Sequence, residues 1–129
     1  VDWKDIPEGD PLFRASADGR GFAVSGGVAQ AVVHAVKRID PEREVKVVNA
    51  EGLQNCKKML QMAKIGKYNG YLLEGMACPG GCVAGAGTIQ TVKKAAAALE
   101  KMKKEALFTD AYDSKYRARL ESLEKFDVE

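Results

Sequence analysis

The chain has 129 residues, 46% of them apolar and 29% charged, with a formal net charge of +2, the composition of one ordinary globular domain. So slight a charge, with no basic patch interleaved with aromatics, gives no case for nucleic acid, and no apolar run is long enough to span a bilayer. Three cysteines, an odd number, argue against a secreted disulfide framework and leave the cytoplasm as the expected setting.

From Val1 to Gly21 the sequence is punctuated by Pro7, Gly9, Pro11, Gly19 and Gly21 and reads as an irregular covering arm. Phe22-Ala23-Val24 reads as a short strand. Ser25 is then placed to N-cap a helix over 27–39, in which Val28, Val32, Ala35, Val36 and Ile39 recur at helical spacing. Asp40-Pro41 ends it. A helix start preceded by glycines is an anion site or, more plainly, a strand-to-helix turn. Val45 to Asn49 reads as a second strand. The helix expected over 53–65 sets Leu53, Cys56, Leu60 and Ala63 on one face, making Cys56 a small core residue. Tyr71-Leu72-Leu73 is a third strand. Thr88 starts a helix to about Ala106 with Ile89, Val92, Ala96, Leu99 and Met102 as its apolar stripe. Lys93, Lys94, Lys101, Lys103 and Lys104 lie mostly on its other side, a solvated face or a docking face for an acidic electron carrier. A last amphipathic helix over 110–126 carries Tyr112, Tyr116, Leu120, Leu123 and Phe126. This order predicts one α/β domain, a small mostly parallel sheet flanked by helices, divided into an arm (1–21), a core (22–106) and a C-terminal helix (107–129).

Between the third strand and the helix after it lies the segment Glu74-Gly75-Met76-Ala77-Cys78-Pro79-Gly80-Gly81-Cys82-Val83-Ala84-Gly85-Ala86-Gly87. More than half of the 13 glycines fall between Gly66 and Gly87. Glycine lets backbone approach a bulky group closely, and thiolates are the soft ligands of iron–sulfur clusters. In an open α/β sheet the C-terminal end of a strand is also where ligands bind. A four-iron cluster takes four cysteines, so Cys78 and Cys82 make half a site. The other half would come from another segment or chain, unless the loop binds something smaller. Zinc takes four N or S ligands, but the single histidine, His34, is remote in sequence. A redox disulfide motif has two intervening residues where this pair has three. Without a cofactor, such a loop has little to hold it.

The run LLEGMACPGGCVAGAG resembles the last cysteine motif of the iron-only ([FeFe]) hydrogenases, Glu-x-Met-Ala-Cys-x-x-Gly-Cys-x-x-Gly-Gly-Gly, and matches it at Glu74, Met76, Ala77, Cys78, Gly81, Cys82, Gly85 and Gly87. Phe22-Ala23-Val24-Ser25-Gly26-Gly27-Val28 is similar to the family's Phe-Gly-x-Thr-Gly-Gly-Val segment, which opens a helix beside the active site. The resemblance runs from about Phe22 to the end. Ala23, Ser25, Ala86 and Thr88-Ile89 depart from the common pattern, the marks of a divergent subgroup. The family's two earlier cysteine motifs and its lysine-bearing segment are absent, and the chain begins at Val1 without an initiator methionine. It is therefore expected to be an excised C-terminal piece of a longer protein.

The resemblance implies an H-cluster, a [4Fe-4S] cubane joined to a diiron subcluster, at which protons are reversibly reduced to hydrogen. Cys78 would ligate the cubane and Cys82 would bridge it to the diiron unit. Gly81 and its neighbouring glycines would keep side chains clear. Met76 would wall the diiron unit, with Phe22 and Ser25 contributing from the second segment, and Glu74 would order the loop by accepting backbone hydrogen bonds. Implied partners are the remainder of the hydrogenase catalytic domain and, for the parent, ferredoxin or a similar electron carrier. With two of four ligands, this chain alone is expected to be inactive and to hold no cluster. The alternative is a non-enzymatic hydrogenase-like scaffold or sensor module.

Overall fold

The valine-bearing segment Lys46–Glu51 forms strand β1 and Tyr71–Met76 forms β2 in the computed structural model, which describes residues 2–5, 15–114 and 117. The strands pair in parallel, in register from Lys46 opposite Tyr71 to Glu51 opposite Met76. A parallel pair needs a crossover, and the helix Leu53–Lys64 supplies it. Taking the helices in chain order, α1 is Ala17–Gly21, α2 is Gly27–Ile39, α3 is this crossover and α4 is Val92–Lys104. The architecture is the expected α/β class, with a sheet of two strands among the described residues.

The first of the three expected strands, at Phe22–Val24, is absent. Those residues make successive tight turns, with Phe22 N–H donating to Gly19 O and Val24 N–H to Gly21 O. The chain closes on itself there so tightly that a Cβ on Gly27 would stand 1.9 Å from Gly21 O. Part of the supposed irregular arm is also helical: Ser16 Oγ accepts from Gly19 N–H and caps α1. Asp18 and Arg20 of α1 are buried. Asp18 holds His34 of α2, whose Nδ1 lies 2.9 Å from both carboxylate oxygens, and Arg20 Nη1 donates to Met102 O near the end of α4 at 2.8 Å. At the far end of α2, Arg38 pairs with Asp113 at 2.7 Å and with Asp110 at 3.5 Å.

Helix α3 turns differently from the expected face. Met59 is buried while Leu53 and Leu60 are 73% and 60% exposed. The strand beneath decides this, because Gly75 leaves a hollow in β2. A Cβ there would stand 3.2 Å from Cys56 Sγ and 3.6 Å from Met59 Cε. Cys56 is half-buried against the sheet, close to its expected place. Helix α4 starts at Val92 and not at Thr88, and Ile89 is almost wholly exposed. Thr88 instead closes the cysteine loop, its Oγ1 donating to Gly85 O. Of the last expected helix, Ala111–Asp113 is a single 3-10 turn, and Tyr116, Leu120, Leu123 and Phe126 lie outside the described residues. The apolar core is thin. Among the described residues only Ala29, Met59 and Val83 are buried apolar side chains, while Ile39, Leu53, Ile65, Ile89 and Leu107 stand exposed.

Candidate functional site

The cysteine loop leaves the C-terminal end of β2 at Met76 and is fastened on two sides. On one side is the turn before α2: Ser25 N–H donates to Gly80 O at 3.3 Å and Val83 N–H to Ala23 O at 3.1 Å. Gly81 makes that approach possible. Its φ of 94° and ψ of −165° lie in a region open essentially to glycine alone. A Cβ there would stand 2.6 Å from both Ala23 O and Ser25 N. On the other side is the end of β1, where Glu51 Oε2 accepts from Gly80 N–H at 2.9 Å and Gly52 N–H donates to Met76 O at 2.8 Å. Within the loop, Gly81 N–H donates to Cys78 O and Gly85 N–H to Cys82 O, both at 2.9 Å. The loop thus has hydrogen-bonded support from the 23–25 turn, from Glu51 and from its own backbone.

Cys78 is half-buried and Cys82, opening the 3-10 turn Cys82–Ala84, is exposed. A Cβ on Gly85 would stand 3.7 Å from Cys78 Sγ, so Gly85 keeps the space beside that sulfur free of a side chain. Buried Val83 anchors the turn that carries Cys82. Two thiols, one exposed and one beside a glycine, fit a shared thiolate site. Among the described residues, no third His, Cys, Asp or Glu joins them in a group able to hold a metal ion. Two thiols on one loop are the donor type of a thiolate-held cluster and two of the four such ligands it takes.

Helix α2 corrects the expected capping. Gly26 stands at the N-cap position with φ 88°, and no side chain caps from there. Ser25 meets the cysteine loop through its backbone instead. The cap comes from Glu74 of β2, whose Oε1 accepts from Val28 N–H at 3.0 Å and Ala29 N–H at 3.2 Å. The anion expected at this helix start is thus the chain's own carboxylate, favoured there by the free N–H groups and the helix dipole. Glu74 is 8% exposed. Its hydrogen bonds order the start of α2, whereas the sequence reading gave them to the loop. Met76 is half-buried and lines an open groove of ≈ 250 Å³ with Val28, Val32 and Leu73. Phe22 is 46% exposed on its turn.

The fold thus brings Gly81, the Ser25 backbone and the Cys78–Cys82 loop together, places Met76 at the loop's entrance, and leaves Phe22 outward. Sequence reasoning missed Glu51. The available signal was a carboxylate at the C-terminal end of a parallel strand, the place where α/β sheets gather functional groups.

A family model described as "Iron only hydrogenase large subunit, C-terminal domain" matches residues 1–86, which includes both the Phe22–Val28 segment and the cysteine loop. The match thus takes in 1–21, which the motif resemblance had left out, and stops at residue 86, short of the chain end that the resemblance reached. Among curated proteins, the "Periplasmic [Fe] hydrogenase large subunit" of Nitratidesulfovibrio vulgaris is 31% identical over 116 residues, covering 67% of this chain and 28% of that protein. The chain spans under a third of that relative's length.

Proposed function

The chain belongs to the iron-only hydrogenase large-subunit family, and on that premise we propose that it supplies Cys78 and Cys82, half of the cysteine ligands, to an H-cluster in a parent hydrogenase. The observation that carries this reading is the seating of the cysteine loop on the 23–25 turn through Gly81, which joins the two segments that bear the family motifs. Bound there, the cluster would supply the electrons and the metal site for reversible reduction of protons to hydrogen. The chain's own residues do the rest. Cys78 and Cys82 bind as thiolates, which metal binding keeps deprotonated. Gly85 leaves room beside Cys78, and Met76 offers an apolar, polarizable wall. Glu74 fixes the start of α2 relative to the strand that leads into the loop.

The partner that completes the site is the remainder of the large subunit, which would bring the missing ligands, and we propose ferredoxin or a similar carrier as the parent's electron partner. The free thiols support a cytoplasmic setting as a further proposal. The name of the relative assigns that protein to the periplasm. Among the described residues no helix is long and apolar enough to cross a membrane.

Anaerobic reconstitution of this chain with iron and sulfide tests the half-site reading by absorbance and metal analysis. Weak or substoichiometric iron, lost in Cys78→Ser and Cys82→Ser, is the expected result. Tight binding of one full cluster per monomer would overturn it.

A further inference from the structure

Glu51 is the last residue of β1, and neither the cysteine motif nor the Phe22–Val28 segment contains it. Its carboxylate reaches across 29 positions of sequence to accept the Gly80 N–H at 2.9 Å. Gly80 lies between the two thiols, and its carbonyl accepts from Ser25 N–H, so both polar backbone atoms of this one residue are held from outside the loop. The Glu51 end of the contact is itself fixed. Asn55 Nδ2 donates to Glu51 O at 2.9 Å, and Gly52 N–H donates to Met76 O. Pro79 Cγ stands 4.0 Å from where a Cβ on Gly52 would be. A charge-assisted bond to a backbone N–H is among the stronger single contacts available to a loop.

We propose that Glu51 is a positioning residue for the two thiols, its carboxylate setting the Cys78–Cys82 backbone before any metal arrives. This rests on the reading that Cys78 and Cys82 are cluster ligands. A loop already in its bound shape loses less conformational entropy on binding than one ordered by the ligand.

The test uses the 129-residue chain without metal, comparing the parent sequence with Glu51→Ala, Glu51→Gln and Glu51→Asp. Gln keeps an acceptor at the same reach, whereas Asp keeps the charge but is one methylene shorter. Gly80 amide exchange should accelerate about tenfold or more in E51A, the scale of a lost bond to a charged group. It should accelerate in E51Q by less than in E51A, because a neutral acceptor of the same reach keeps about half of a charge-assisted bond, and it should accelerate in E51D. The half-buried Cys78 thiol should become more reactive toward a disulfide reagent in the same variants, with Cys56, under the sheet, unchanged. Unchanged Gly80 exchange in E51A would overturn the proposal. So would parallel acceleration at Gly80 and Cys56, which would make Glu51 a residue of the whole fold and not of the loop. The ligand reading fails separately, if Cys78→Ser and Cys82→Ser leave iron uptake unchanged while the Gly80 amide still answers to Glu51.

Discussion

Replacing Gly81 by alanine should separate the two motif-bearing segments. The backbone there, at φ 94° and ψ −165°, costs a non-glycine residue about 1–3 kcal/mol. The new Cβ would stand 2.6 Å from Ala23 O and from Ser25 N, and neither backbone atom can swing aside as a side chain would. The loop must lift off the turn. Ser25 N–H then loses Gly80 O, and Val83 N–H loses Ala23 O, at about 0.5–1.5 kcal/mol net for each bond. The sum is about 2–6 kcal/mol. Gly87→Ala is the matched control, because Gly87 also has positive φ, 88°, yet a Cβ there meets nothing within 4 Å. That change should cost only about 1–2 kcal/mol. Urea unfolding followed by far-UV circular dichroism gives the totals, and amide exchange at Ser25 and Val83 locates them. Equal losses in the two variants, or undisturbed exchange at both amides in G81A, would refute the close-approach argument.

Glu74→Ala should cost about 1–3 kcal/mol by stripping two backbone donors of their buried acceptor, with faster amide exchange confined at first to Val28 and Ala29. Gly75→Ala should cost about 1–3 kcal/mol by overpacking against the Cys56 sulfur. Most of that loss should vanish in the Gly75→Ala, Cys56→Ala double variant, as a double-mutant cycle on denaturant midpoints will show. His34→Ala removes the partner of buried Asp18 and should lower stability by about 1–3 kcal/mol, whereas adding Asp18→Asn should restore part of it. A cycle without coupling would dismiss that pair.

The parts legible in the sequence were those whose cause is local. The β1–α3–β2 unit follows from a strand pattern, a helical period and a strand pattern. The identity of the cysteine loop follows from residue types at fixed spacing. What was missed depends on contacts between segments far apart in sequence. Ser25 was assigned the cap because it has a hydroxyl in the right place, but Glu74 fills that role from a strand 46 positions away from Val28. Phe22–Val24 has strand-like side chains, yet Gly21 and Gly27 let the backbone fold into turns tighter than any strand. The face of α3 was read from periodicity alone, whereas the hollow at Gly75 determines which side chains point inward. Glu51 drew no reading because nothing near it in sequence announces its bond to Gly80.

The Glu74 cap also places the site in time. Ala29 and Glu74 are 45 residues apart, so a ribosome adding roughly 5–20 residues per second adds Ala29, in the first turn of the helix, roughly 2–9 s before the carboxylate that caps it. During that interval Val28 and Ala29 N–H lack the Glu74 acceptor. The same stretch of synthesis that delivers Glu74 goes on to deliver the cysteine loop, so the finished helix and the seated loop are late, simultaneous products of translation. A pause placed between β1 and β2 would hold the nascent chain with its helix uncapped and its cysteine loop not yet begun.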